Sequence, residues 1–197
     1  SVNLSSFIQA VEGGLSPLSN EFSYVTRQQF LAAGGTPVYC GQHFVIYYKD
    51  ELHSPLDGFY EPTLGPDRRA TFCAVLEYVE SVIDIPTGVV VELFVDRSFS
   101  PSNTVGTTES WLGRAQPYYA PPTADGILEG DMYSFITTGT DPHPAIYDGY
   151  VQMNFDQVYQ NGTPLGLCYY DNYLVLDDSR CCWDLFTVLL HEVTHAM

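Results

Sequence analysis

The stretch from Asp184 to Met197 constrains this chain more than any other. It reads Asp-Leu-Phe-Thr-Val-Leu-Leu-His-Glu-Val-Thr-His-Ala-Met and contains neither Gly nor Pro. Asp184 is suited to cap the free N–H groups of a first turn. Leu185, Phe186, Leu189, Val193 and Met197 then fall on one broad stripe at helical spacing, which predicts a largely buried helix.

The rest of the chain can supply the core that such a helix needs. In 197 residues, 45% are hydrophobic and 14% aromatic, enough for one sizeable core and hence one principal domain. Seven Lys and Arg face twenty-four Asp and Glu, a formal charge of -17, which argues against a nucleic-acid partner. The acidic surface is read as a solvated face that resists aggregation. No run of eighteen apolar residues occurs, so no membrane span is expected, and an N-terminal Ser1 fits a removed signal peptide.

Cys40, Cys73, Cys168, Cys181 and Cys182 are disulfide candidates, and Asn3 (Asn-Leu-Ser) and Asn161 (Asn-Gly-Thr) are acceptors for N-glycosylation. Together they predict an oxidising compartment and a secreted or cell-surface protein. Adjacent Cys181 and Cys182 cannot bond each other without strain, so each is expected to pair elsewhere, with Cys168 a partner for one of them. The odd count leaves one cysteine over.

Along the chain, residues 1–42 read as a lead-in or pro-region of short helices, with apolar clusters at Phe7-Ile8 and Phe30 to Ala33 broken by Gly13-Gly14 and Gly34-Gly35. His43 to Tyr48 is β-branched and aromatic, a buried strand, and Pro55 to Pro66 is a loop. Asp67 is the expected N-cap of a helix carrying Phe72, Val75, Leu76, Val79, Val82 and Ile83, which ends before Pro86. Gly88 to Val95 reads as a strand. Tyr150 to Phe155 alternates apolar and polar side chains like a half-exposed strand. Residues 97–149 show no clear periodicity.

The chemistry sits on the last helix. His191 and His195, four apart, stack on one face and can take two positions of a tetrahedral zinc. Glu192, beside the first of them, can reach a zinc-bound water as general base. The bland alternative is a core helix with two satisfied histidines. His43, His53 and His143 are scattered, and His143, in the rigid Asp-Pro-His-Pro turn, is read as a surface residue rather than a ligand. Asp171-Asn172 and Asp177-Asp178 could offer oxygens to calcium, a second candidate ion, but suit turn and capping roles better.

Phe186 to Met197, with its His-Glu-Val-Thr-His core, resembles the active-site helix of the zincin metallopeptidases, and more narrowly of secreted metzincin-like enzymes. That resemblance implies an α+β fold with a twisted mixed sheet, residues 68–83 as a backing helix, 88–95 as a core strand and 150–155 as the edge strand. Residues 43–197 would then be the upper subdomain of a catalytic domain. It also implies hydrolysis of peptide bonds in a protein or peptide substrate, whose backbone would pair with Tyr150, Val151, Gln152, Met153 and Asn154. In such families a thiolate like that of Cys40 can hold a precursor latent; a disulfide is the competing role. The family continues beyond the motif with a Gly turn, a third His ligand and a Met-turn. A larger polypeptide or assembly is therefore expected to supply that part. The contrasting expectation is a non-catalytic structural or adhesive module that keeps the zincin fold.

Overall fold

A computed structural model describes residues 25–97, 112–118, 129–155, 158–160, 163–165, 169–172, 174 and 183–197. The fold is α+β. Its centre is a five-stranded mixed sheet built from β1 (Val38–Cys40), β2 (Phe44–Tyr48), β3 (Val91–Arg97), β4 (Gly113–Pro117) and β5 (Gly149–Met153), in the order β1-β2-β3-β5-β4. The β2-β3 and β3-β5 pairs are parallel, whereas β1 and β4 close the two ends antiparallel. Parallel central strands are covered on both faces, which is why β2 is buried along its whole length.

Alternation along β2 and β3 sorts their side chains into two cores. Phe44, Ile46 and Tyr48 of β2 join Val91, Leu93 and Val95 of β3 in the larger cluster, while Val45, Tyr47 and Phe94 join the smaller one. Over the larger face lie α2 (Gly65–Val82), through Phe72, Val75, Leu76 and Val79, and α4 (Leu185–Ala196), through Leu185, Leu189, Val193 and Ala196. The short α3 (Asp131–Thr138) adds Met132 and Ile136. On the opposite face Phe30 of α1 (Arg27–Ala32) meets the Tyr47 ring edge-on at 5.5 Å. Two small ribbons complete the elements, β6 (Val158–Gln160) with β7 (Thr163–Leu165), and β8 (Tyr169–Tyr170) with β9 (Trp183–Asp184).

Two sequence boundaries shift. Residues 1–42 do not form a separate lead-in throughout: α1 is capped by Thr26, Phe30 is fully buried, and β1 pairs with β2, so the part from residue 25 belongs to the main fold. The helix expected behind Asp67 starts at Gly65, with Pro66 and Asp67 inside its first turn. Proline's fixed φ suits that turn, and a carboxylate there faces the positive end of the helix dipole.

Cys40 of β1 and Cys73 of α2 form a disulfide across 33 residues of chain, fixing the sheet edge to the helix above it. The disulfide candidates Cys168, Cys181 and Cys182, the acceptors Asn3 and Asn161, and Asp177 and Asp178 lie outside the described residues. Among the described residues no helix is long and apolar enough to cross a membrane.

Candidate active site

The start of α4 is set by Asp184, whose carboxylate accepts the Phe186 N–H at 3.3 Å and the Thr187 N–H at 3.2 Å. Its rotation is set by Leu185, Leu189, Val193 and Ala196, all wholly buried in the larger core. With that stripe inward, Glu192 falls on the boundary of the buried face and is only 5% exposed, while His191 and His195 stand in the open. Their Nε2 atoms approach to 2.9 Å with the rings edge-to-face at 4.5 Å.

The end of the sheet comes down over Glu192. A Cβ on Gly113 would lie 2.8 Å from the Met153 sulfur and 2.9 Å from Glu192 Cγ, so any larger residue here would force one of those side chains to shift. Leu112, Gly113, Trp183, Asp184, Thr187, Val188, His191 and Glu192 together line a groove of about 550 Å³. Burial pushes the Glu192 carboxyl above its ordinary range, an effect opposed by His191 and His195.

The structure brings His191, Glu192 and His195 together but rearranges the expected substrate strand. Tyr150, Val151, Gln152 and Met153 were expected to form an exposed edge; they lie in β5, paired with β3 on one side and β4 on the other. Their backbone groups are taken up by the sheet, and Asn154 is buried with its N–H donated to the Leu112 carbonyl. The polar position that made this stretch look half-exposed is Gln152. Its Oε1 accepts from Arg114 Nε at 2.6 Å, so the amide is buried with a partner. The edge strand on this side of the sheet is β4, from the region without periodicity, and its one sequence signal is Pro117, a residue that sheets confine to their edges.

Other candidate residues have structural partners. Asp171 Oδ1 accepts from Arg68 Nε at 2.7 Å, and Asn172 Oδ1 accepts the Leu174 N–H as a turn residue does, so the pair has ion-pairing and turn roles. His43 Nδ1 lies 2.8 Å from the Val89 carbonyl, and His143 Nδ1 lies 2.8 Å from Asp131 Oδ2, half-buried rather than free on the surface.

No family model, curated protein or solved structure matches this chain.

The donor set fits a metal ion in part. Two imidazole nitrogens bound to one tetrahedral zinc stand roughly 3.3–3.4 Å apart, given Zn–N bonds of about 2.0–2.1 Å. A pair at 2.9 Å on adjacent turns needs only a small opening to reach that spacing. Among the described residues no further His, Cys, Asp or Glu completes a three-residue metal group with this pair.

Proposed function

We propose that this chain carries the metal-binding helix and substrate-aligning edge of a secreted zinc-dependent endopeptidase. One observation carries the reading: a buried carboxylate, Glu192, lies beneath the edge strand at Gly113, in a groove shared with His191 and beside the converging Nε2 atoms of His191 and His195. Bound there, zinc would acidify a water and polarise a carbonyl. The protein's own residues do the rest. His191 and His195 offer neutral imidazole lone pairs to the ion. Glu192, shielded by β4 and Met153, holds its carboxylate at the groove, where it takes the proton from the attacking water and returns it to the leaving amine. The outer edge of β4 replaces 150–154 as the strand to which an extended peptide backbone would pair. The Cys40–Cys73 disulfide supports secretion.

A second reading keeps the fold and drops the chemistry. A structural or adhesive module would need only the packed sheet and helices, with no ion at His191 and His195. The two separate on zinc content and on cleavage of an unstructured protein by the full-length molecule. Glu192→Gln is expected to keep its zinc while losing on the order of a hundredfold to ten-thousandfold in rate. His191→Ala and His195→Ala are expected to lose the metal. Wild type that binds no zinc and cuts nothing would favour the module, and cleavage that survives Glu192→Gln would refute the assigned base.

A further inference from the structure

Asp50, His53 and Asp96 meet where β2 and β3 end. The parallel register sets Tyr48 beside Val95, so Asp96 and the turn that follows β2 necessarily arrive at the same place. Asp50 lies in that turn, Lys49–Leu52, and is completely buried; Asp96 is 5% exposed, and His53 is half-buried, open on one side to solvent. One ligand atom from each lies within 4.8 Å of the others.

The hydrogen bonds leave particular atoms over. Asp50 accepts the Phe59 N–H at 2.7 Å and the Arg97 N–H at 2.9 Å, which hold its carboxylate in place while each oxygen retains a second lone pair. Asp96 Oδ2 accepts from Lys49 Nζ at 2.8 Å, but its Oδ1 is buried and has no hydrogen-bond partner among the described residues. That oxygen faces His53 Nε2 at 3.9 Å, too far for a hydrogen bond. The other ring nitrogen, Nδ1, lies 2.9 Å from Asp57 Oδ1, and Asp57 is held in turn by Arg97 at 2.6 Å. A carboxylate that accepts a hydrogen bond from Nδ1–H leaves Nε2 as the lone pair, aimed inward, the arrangement by which proteins orient metal-binding histidines.

We propose that Asp50, His53 and Asp96 form a second metal site, for a divalent transition-metal cation, that ties the 49–60 loop to the ends of β2 and β3. The imidazole selects against calcium, which takes six to eight oxygens, and suits zinc or manganese. The site shares no residue with α4, so it stands or falls independently of the peptidase reading.

The test uses the full chain stripped with a chelator and titrated with zinc and, separately, with manganese, reading metal per chain and the melting temperature. His53→Gln and Asp96→Asn are each expected to remove one bound equivalent, to weaken binding there by at least about a hundredfold, and to abolish the metal-induced rise in melting temperature. The His191→Ala/His195→Ala double variant is expected to keep that equivalent. His53 is partly exposed, so His53→Gln should fold even if Asp96→Asn does not. Folded His53→Gln that binds as much metal as wild type, with the same thermal shift, would overturn the site. So would wild type whose bound metal vanishes entirely in the double variant, or wild type that binds neither ion.

Discussion

Asp148 is buried at the start of β5, where its Oδ2 accepts the Glu92 N–H at 2.6 Å and its own N–H returns to the Glu92 carbonyl at 2.8 Å. Burial, reinforced by Asp141, Glu92 and Asp131, pushes its carboxyl up to about 8, against an ordinary value near 4. The folded chain therefore holds a proton that the unfolded chain releases between those two values. A raised pKa means a contribution fully present below about pH 4 and lost as pH climbs toward 8. Asp148→Asn keeps the acceptor without the charge and should remove this loss. Melting temperatures at pH 5 and pH 8.5 would check it: the variant is expected to gain over wild type at the higher pH, and an equal difference at both would refute the assignment. Such a residue is invisible in the sequence, where it falls within the stretch 97–149 that shows no clear periodicity. His191, Glu192 and His195 were legible because helical spacing alone puts them on adjacent turns.

Between elements, the decisive contact is β4 against α4. Gly113 sits where a methyl group would press on Glu192 and Met153. On the peptidase reading proposed above, Gly113→Ala is expected to push the Glu192 side chain aside, cutting turnover by on the order of tenfold or more while leaving the helix cap and any zinc content intact. Rates and zinc per chain for the variant would check it; unchanged turnover would separate β4 from the site. The elements themselves were read unevenly. β2 and α4 were found because a buried aromatic run and a capped apolar stripe are local signals. β4 was not, since Gly-Arg-Ala-Gln-Pro has no apolar alternation and is held by its pairing with β5. β5 was found but assigned to the sheet's edge, because a buried, partnered Gln152 and an exposed one look alike in sequence.

At the scale of the whole molecule, the Cys40–Cys73 disulfide closes 33 residues that include β2 and the start of α2. In the chain-entropy picture a loop of that size stabilises by roughly 3–4 kcal/mol. Cys40→Ser is expected to lower stability by about that amount, read from urea midpoints, and neither Cys40 nor Cys73 should be alkylated in denatured, unreduced wild type. Ready labelling of either would refute the bond and weaken the secretory reading. The sequence by itself determined the composition class, the capped helix with its His-Glu-Val-Thr-His face, and the buried strand at β2, because each depends on periodicities a few residues long. Only the tertiary structure decided strand order, which strand is the edge, which cysteine meets Cys40, and the meeting of Asp50, His53 and Asp96. Those depend on which distant segments become neighbours, and that is settled by the burial of both faces of one shared sheet.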